Sequence, residues 1–199
     1  MRKDFIKGHT PKIKIINALF QCIQKEGVNN VTMRKIAVQA KISLGTLHYY
    51  FNKKENIFIE CIQELFDQFI KDILKRYHPE DPPEKKLDEF LSEGRDFLIR
   101  EKKLFVLYID VWSLSVRNPK MKKIFIAWYK KMVNIMASIL NEGIEKGTFN
   151  KIDTKELSNF FYFFTDGIGL HWHMQNKRFD INKYFEIIFD HIKKMVIKI

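Results

Sequence analysis

Residues Ile42–Phe58, with the sequence ISLGTLHYYFNKKENIF, decide the fold of this 199-residue chain. Ser43 precedes a short apolar and aromatic run, and serine is a preferred residue just before the first turn of a helix. Two lysines, Lys53 and Lys54, then follow Asn52 at the start of what reads as a new helix. Cations are disfavoured there because the amino end of a helix carries about half a positive charge. The stretch therefore predicts two consecutive helices, the second with surplus positive charge at its amino end.

The same surplus of cations occurs at three neighbouring helix starts. Each start combines a capping residue with basic residues: Thr32 with Arg34 and Lys35, Ser43 with Lys41, and Asn52 with Lys53 and Lys54. The acid among them, Glu55, is placed to form a capping box with Asn52. Backbone N–H groups at a helix start, together with Lys or Arg, bind phosphate. The pattern predicts contacts with nucleic-acid phosphates; the alternative is a solvated basic face with no partner.

The turn Ala40–Ser43 joins two short helices with the proportions of a helix-turn-helix, whose second helix enters the major groove of DNA. Ala37 is small enough to let the two helices cross closely. The residues expected to face the protein interior are Ile36, Ile42, Leu47 and Phe51. The residues expected to bind DNA, either from the outward face or from the helix starts, are Thr32, Arg34, Ser43, Leu44, Gly45, Thr46, His48, Tyr49, Lys53 and Lys54.

Gly45 needs a reason, because glycine inside a helix costs roughly 1 kcal/mol relative to alanine. Removal of bulk where the helix approaches the bases is one reason, and tight helix packing within the protein is the alternative. Thr46 and His48 can donate or accept hydrogen bonds at base edges, and Tyr49 can reach a phosphate or a thymine methyl. For His48 the alternative is a histidine that is only solvated beside DNA.

The net charge of +11 is concentrated in residues 1–55, which hold eleven Lys/Arg against three acids. This favours an anionic partner, either double-stranded DNA or a membrane surface. A membrane-surface or protein-interaction module would need a continuous basic amphipathic helix, whereas these cations lie at helix starts separated by turns. No apolar run reaches the ~18 residues of a spanning helix, and the first residues lack the apolar stretch of a signal peptide. We therefore expect a cytoplasmic protein without a membrane partner.

Apolar residues recur at three- and four-residue spacings along the chain, which predicts an all-α fold. Thr10-Pro11 is expected to start the first helix, and Asn52 a long fourth helix that the segment HPEDPP, residues 78–83, ends. Five more helices are expected at about 84–100, 102–117, 120–146, 154–176 and 181–198. We place the domain boundary inside the long helix, with residues 1–55 before it and 56–199 after it.

Residues 10–60 resemble the DNA-binding domain of the TetR family of transcriptional regulators. The resemblance rests on two motifs, Thr32-x-Arg34-x-Ile36-Ala37 and Ala40-x-Ile42-Ser43-x-Gly45-Thr46-Leu47-x-Tyr49-Tyr50-Phe51-x-x-Lys54-Glu55-x-Ile57. By this resemblance Arg34, Thr46, Tyr49 and Lys54 stand at DNA-contacting positions of the family. Lys41 departs from the glycine that is usual in the turn, and His48 from the usual tyrosine. A left-handed lysine in the turn would cost about 1–2 kcal/mol.

The resemblance implies a three-helix helix-turn-helix domain in residues 1–55 and a helical ligand-binding and dimerisation domain in residues 56–199. It also implies a homodimer, most often a repressor, that a small-molecule inducer releases from DNA. Because such a dimer has twofold symmetry, its operator would be palindromic. The segment Trp112–Lys122 and the pattern Glu142-Gly143-x-x-x-Gly147 are similar to ligand domains of the choline-responsive branch of the family.

The helix that begins after Asp153 has apolar residues around more than half of its circumference, which is too wide for a helix on one core. With the last helix it is expected to form a four-helix interface with a second copy of the chain. The predicted interface residues are Phe160, Phe161, Tyr184, Phe185, Ile188, Phe189 and Ile192. The alternative is an ordinary core inside a monomer.

Large aromatic residues around a carboxylate can hold an apolar or cationic molecule by stacking and cation–π contact. The predicted ligand-binding residues are Phe105, Tyr108, Trp112, Trp128, Phe164, Asp166, His171 and Trp172. The alternative is that these aromatics belong to an ordinary core.

The sequence contains no HExxH, CxxC, P-loop or GxSxG motif. His171 and His173 are two residues apart, so they point to different sides of a helix. Cys22 and Cys61 lie in apolar helical faces without metal-ligand spacing and are expected to be buried, reduced thiols. We therefore expect no enzymatic activity, no cofactor and no metal site, and a ligand-responsive DNA-binding regulator as the function.

Overall fold

Helices account for almost all regular structure in the computed structural model, which describes residues 6, 8, 10–100, 102–175 and 179–198. Over these residues the α-helices are α1 (Pro11–Glu26), α2 (Met33–Ala40), α3 (Leu44–Tyr50), α4 (Lys54–Leu74), α5 (Pro83–Arg100), α6 (Lys102–Ser115), α7 (Pro119–Glu145), α8 (Thr154–Gln175) and α9 (Ile181–Val196). A short 3₁₀ helix, Val28–Asn30, lies between α1 and α2. The predicted all-α fold is confirmed.

Three of the predicted helix starts are capped as expected. The hydroxyl of Thr10 accepts from the N–H of Ile13, and that of Thr32 accepts from Lys35. Ser43 Oγ accepts from the N–H of Thr46 at 2.9 Å. Each cap satisfies an N–H group that has no partner within the helix, which typically stabilises a helix by about 1 kcal/mol.

The fourth predicted start differs from the structure. Helix α4 begins at Lys54, two residues after Asn52, and the carbonyl of Lys53 accepts from the N–H of Asn56. Phe51 is buried in extended conformation. Because the helix begins only after this extended segment, Lys53 instead of Asn52 occupies the capping position, and the predicted capping box with Asn52 is wrong.

The chain forms two compact units. The first unit comprises the residues up to Lys71 together with Val106–Phe125, and the second comprises Asp72–Phe105 with the residues from Ile126 onward. Helices α4, α6 and α7 therefore contribute residues to both units. The first unit is larger than the predicted DNA-binding domain, residues 1–55, and that boundary stays a prediction.

The first unit is built around the apolar face of α1. Its most completely buried side chains include Ile15, Leu19, Ile36 and Leu47, from α1, α2 and α3. Burial of an aliphatic side chain of this size stabilises a fold by about 1.5–3 kcal/mol. Four such residues thus fix α2 and α3 on α1, and this packing determines which face of α3 is left outside.

In the second unit, glycines allow large rings to approach helices closely. A Cβ on Gly169 of α8 would lie 2.5 Å from Cζ of Phe105, and one on Gly143 of α7 would collide with the ring of Phe149. Glycine at these two positions is therefore a packing requirement, because overpacking a core costs about 1–3 kcal/mol. Phe105, predicted to bind ligand, is a core residue here.

An ion-pair cluster also joins helices of the second unit. The ammonium of Lys86, at the start of α5, donates to both carboxylate oxygens of Glu142 at 2.9 Å, and Lys146 donates to the same carboxylate at 2.7 Å. The hydrogen bonds from Lys146 and Lys86 lower the pKa of the Glu142 carboxyl below its ordinary value. Glu142 is therefore held ionised between α5 and α7.

The predicted dimer interface needs correction. Phe161, Phe185, Ile188 and Ile192 are almost fully buried within the single chain. Buried side chains have no surface left for a second copy, so these four residues belong to the core of the second unit. Phe160 and Tyr184 are exposed, and Phe189 is half-buried.

Candidate nucleic-acid interface

A left-handed residue makes the turn between α2 and α3. Lys41 has φ 57° and ψ 45°, and among the described residues it is the non-glycine residue with positive φ. The N–H of Lys41 donates to the carbonyl of Val38 at 3.1 Å, and the N–H of Ile42 donates to that of Ala37 at 3.0 Å. These two bonds form a Schellman motif, which normally has glycine at the left-handed position. The turn therefore has the backbone geometry that is usual for glycine, and the left-handed backbone of Lys41 is strained.

The outward face of α3 is the predicted one. Leu47 is fully buried, while Leu44, Gly45, Thr46, His48 and Tyr49 are exposed, as predicted. Tyr49 reaches 84% exposure, and its ring contacts Tyr50 edge-on at 5.2 Å between centroids.

Gly45 is not explained by packing within the protein. A Cβ at this position would meet a single neighbouring atom, Ser43 Oγ, at 3.7 Å, an ordinary van der Waals contact. Gly45 is also exposed. Packing against the described residues therefore gives no reason for a residue that weakens the helix.

The cap of α3 also orients Thr46. Ser43 Oγ lies 2.8 Å from Thr46 Oγ1, and either hydroxyl can be the donor. Because each hydroxyl has one donor and two acceptor sites, Thr46 keeps hydrogen-bonding capacity for a further partner. The cap therefore fixes the position of a polar group on the exposed face.

Two of the five cations at the helix starts are engaged within the chain. Lys35 forms an ion pair with Glu26 and donates to the carbonyl of Asn30 at 3.1 Å. Lys54 is half-buried, and its ammonium donates to the carbonyl of Val31 at 2.9 Å and to that of Val28 at 3.5 Å. Lys54 therefore ties the start of α4 to the segment that leads into the Thr32 cap.

The other three cations at these starts are exposed: Arg34, Lys41 and Lys53. Their side chains make no hydrogen bond or ion pair with any described residue. Together with the first N–H groups of α2 and α3 they present positive charge to solvent, which suits the phosphate oxygens of an anionic polymer. Lys41 was counted among the cations at the helix starts but left out of the list of predicted DNA-binding residues, and its position beside the Ser43 cap is the sequence signal that would have included it.

The predicted ligand-binding residues are divided between the two units. Tyr108 and Trp112 belong to the first unit, where Tyr108 packs on Phe125 at 5.6 Å between ring centroids and Trp112 is 54% exposed. The other six belong to the second unit. There Phe164 is exposed beside Phe160, and Trp172 lies under the ammonium of Lys102, at 4.4 Å. Their joint role in binding a ligand stays a prediction.

The described residues offer neither a membrane-spanning helix nor a cluster of metal-binding side chains. No helix in them is both long and apolar enough to cross a membrane. No group of three or more His, Cys, Asp or Glu side chains in them is arranged to hold a metal ion. Cys22 and Cys61 are buried free thiols, and burial raises the pKa of both.

Two sequence profiles cover most of the chain. The profile described as "Bacterial regulatory proteins, tetR family" matches residues 15–61, and "BetI-type transcriptional repressor, C-terminal" matches residues 83–196. The chain belongs to the TetR family. It is a DNA-binding helix-turn-helix transcription regulator and not an enzyme.

Known relatives match this TetR-family chain over nearly their full length. The Fatty acid metabolism regulator protein of Bacillus subtilis (strain 168) is 26% identical over 178 residues, which are 88% of this chain and 91% of the relative. The structure of FadR from Bacillus subtilis in complex with stearoyl-CoA is similar with a TM-score of 0.72 and 25% identity, covering 88% of this chain and 96% of FadR. A transcriptional regulator from Saccharomonospora viridis in complex with choline has a TM-score of 0.84 and 19% identity, covering 94% and 98%.

Proposed function

We propose that this TetR-family regulator is a ligand-responsive repressor that binds a palindromic operator as a homodimer in the cytoplasm. The observation that supports it best is the exposed face of α3, where Gly45 has no intramolecular reason and Thr46 is held by the Ser43 cap. This face inserts into the major groove, and Thr46, His48 and Tyr49 contact base edges. Leu44 packs against the groove wall.

The phosphate contacts come from exposed groups at the helix starts. Arg34, Lys41 and Lys53 supply cations without an intramolecular partner in the described chain. The first backbone N–H groups of α2 and α3, next to the Thr32 and Ser43 caps, lie at helix amino ends, where helices bind anions. Lys54, which donates to two backbone carbonyls, positions the α4 start instead of neutralising a phosphate.

The homodimer uses the exposed apolar residues of α8 and α9. On α8 these are Phe160, Phe163, Phe164, Leu170 and Met174, and on α9 they are Tyr184, Ile187 and Met195. Phe163 and Met174 on α8 are 64% and 72% exposed, and Ile187 on α9 is 46% exposed, so both helices leave apolar surface in contact with solvent. Surfaces of this kind mark protein–protein contacts. A twofold axis through them would place two α3 helices about 34–36 Å apart on the operator.

The inducer is an apolar or cationic small molecule that binds in the second unit. Two relatives support a small-molecule ligand, because one structure is in complex with stearoyl-CoA and another with choline. The ligand shifts the population between a DNA-binding and a non-binding state by no more than its difference in affinity for the two. Helix α4 contributes residues to both units and is the covalent route for this coupling.

Selection of duplexes from a random-sequence pool with the full chain tests the proposal. We expect enrichment of an inverted repeat, with two protomers per duplex in sedimentation. The logarithm of the binding constant should fall steeply with the logarithm of salt concentration, by about 0.9 per phosphate contacted. Enrichment of a direct repeat, a monomer at micromolar concentration, or no retained duplex in dilute buffer would each contradict the proposal.

A further inference from the structure

The connection between α6 and α7 carries cations without matching acids. Residues 111–141 contain six Lys or Arg and no Asp or Glu. Four of the six are exposed and lie within seven residues of each other: Arg117, Lys120, Lys122 and Lys123. Their side chains form no hydrogen bond or ion pair with a described residue. These residues, 117–123, form the α6–α7 tip.

The α6–α7 tip differs from helices of the second unit in how its charge is balanced. There, Lys146 pairs with Glu142 and Lys194 with Asp190, each at 2.7 Å and one helical turn apart. Pairs at this spacing neutralise charge locally. The tip has no acid one turn away in either direction, so its positive charge is presented to solvent.

The tip belongs to the same compact unit as the helix-turn-helix, because Val106–Phe125 cluster with the residues up to Lys71. That unit carries sixteen Lys or Arg against seven Asp or Glu, which is nine of the chain's net charge of +11. A surface with one sign of charge attracts a polyanion. The positive charge of residues 1–55 is thus extended by a segment that is distant from them in the sequence.

Aromatic contacts place the tip alongside α4. Phe125 of α7 packs on Phe66 of α4 at 6.5 Å and on Tyr108 of α6 at 5.6 Å between ring centroids. Helices α4 and α7 leave the first unit after Lys71 and Phe125, and α6 enters it at Val106. The tip therefore lies on the same side of this aromatic contact as the start of α4.

Helix lengths show how far the tip extends towards the start of α4. At 1.5 Å per residue, Pro119 lies about 9 Å from Phe125 along α7, and Lys54 lies about 18 Å from Phe66 along α4. The tip thus covers about half of the distance back to the start of α4. The long side chains of its lysines reduce the remaining gap.

We propose that the α6–α7 tip binds phosphates of the DNA that flanks the operator, outside the base pairs that α3 contacts. Lys120 and Lys123 are the main contacts, because residues three apart lie on one face of a helix and both are exposed. The backbone N–H groups of Lys120 and Met121 are not needed, since they already donate to Oδ1 of Asn118. Phosphate contacts add affinity without sequence preference. This inference rests on the proposed function, because it extends the DNA surface of that regulator.

Exposed apolar residues beside the tip make an anionic membrane the rival partner. Trp112 and Val116 are 54% and 72% exposed. A helix that lies on a membrane needs a long apolar face bordered by cations. The apolar face of α6 is used inside the fold, where Leu107 and Val111 are buried, and α6 ends before the lysines begin. The arrangement therefore favours DNA.

Duplexes of two lengths test the inference. The core duplex contains the selected inverted repeat alone, and the extended duplex adds about ten base pairs, roughly one helical turn, on each side. Lys120→Gln combined with Lys123→Gln removes two cations per protomer. With one phosphate per cation, the salt slope of a dimer should fall by about 3.6 on the extended duplex and stay unchanged on the core duplex. Between about 50 and about 200 mM salt, the unchanged chain should thus lose about a hundredfold more affinity for the extended duplex than the variant loses.

Lys151→Gln combined with Lys155→Gln is the matched control. Both lysines are exposed in the second unit, their side chains have no partner among the described residues, and the change in net charge is the same. The control should leave both salt slopes unchanged, and both variants should keep the unfolding temperature of the unchanged chain, since all four substitutions are at exposed positions. A control that lowers the slope as much as the tip variant would assign the effect to net charge and overturn the inference.

The remaining outcomes are also decisive. Equal slopes for the unchanged chain and the tip variant on the extended duplex, or the same reduction on both duplexes, would overturn the flanking contact. Flotation with vesicles of phosphatidylcholine and phosphatidylglycerol tests the rival: vesicle binding that the tip variant loses, with both duplex slopes unchanged, would assign the tip to a membrane. A chain that selects an operator but shows no effect of duplex length loses this inference and keeps its role as a regulator. A chain that retains no duplex loses both.

Discussion

Lys53 and Lys54 are adjacent in the sequence but have different proposed roles: Lys53 binds a phosphate, and Lys54 positions the start of α4. Substitutions can test the two roles separately. Lys53 is exposed and has no partner among the described residues, whereas Lys54 donates to the carbonyls of Val31 and Val28. A hydrogen bond with a charged donor contributes about 1.5–3 kcal/mol, and the 3.5 Å bond adds little. Because Lys54 is half-buried, we take the lower end and expect Lys54→Met to cost about 1.5 kcal/mol, or roughly 3–6 °C in unfolding temperature. Lys53→Met should change stability by less than about 0.5 kcal/mol.

DNA binding should respond in the opposite order. If Lys53 neutralises one phosphate per protomer, Lys53→Met reduces the salt slope of a dimer by about 1.8, since each phosphate contributes about 0.9. Lys54→Met should leave the slope unchanged and weaken binding to all sequences, because the Thr32 cap and the start of α4 lose their common anchor. The DNA binding of both variants is measured by fluorescence anisotropy at salt concentrations from about 50 to about 200 mM, at a temperature well below their unfolding temperatures. A reduced slope for Lys54→Met at unchanged stability would refute this assignment.

Four further substitutions test other parts of the structure. Gly45→Ala should stabilise the fold by up to about 1 kcal/mol in urea unfolding and still weaken operator binding; unaltered binding would speak against close approach of DNA. Lys41→Gly should raise stability by about 1 kcal/mol by relieving the left-handed lysine, and a loss of stability would contradict the strain. Gly167→Leu should shift sedimentation towards monomer without unfolding the chain, and an intact dimer would remove α8 from the interface. The pKa of the Glu142 carboxyl is lowered in the folded state, so its ion pairs stabilise the fold above the unfolded-state pKa, and this stabilisation is lost as the pH falls through the folded-state pKa. The difference in unfolding free energy between the unchanged chain and Glu142→Gln should therefore shrink between about pH 6 and pH 3. A constant difference would contradict the pairing.

Local features of the fold could be predicted from the sequence because they depend on neighbouring residues. The caps Thr10, Thr32 and Ser43 lie within three residues of the N–H groups they satisfy. The inward position of Leu47 and the outward position of Tyr49 follow from the short turn before α3. The ends of helices α5 to α9 agree with the prediction to within about two residues, the usual uncertainty at helix ends.

Contacts between distant residues could not be predicted in the same way. Lys54 donates to a carbonyl 23 residues earlier in the chain, so no local pattern distinguishes it from Lys53. Periodicity also predicts the apolar residues of α9 without saying which of them face the core. Phe185 and Ile192 are buried within the chain itself, and Ile187 is exposed.

Glycines in helices distinguish packing within the chain from approach by another molecule. Gly143 and Gly169 are required by the rings of Phe149 and Phe105, because a Cβ would overlap them. Gly45 has a single distant neighbour and Gly167 has none within 4 Å. Each of these two glycines weakens its helix by roughly 1 kcal/mol, and no close contact with a described residue requires glycine there. Gly45 lies on the exposed face of α3 and Gly167 on α8 beside exposed apolar residues, and these are the surfaces proposed to bind DNA and a second protomer.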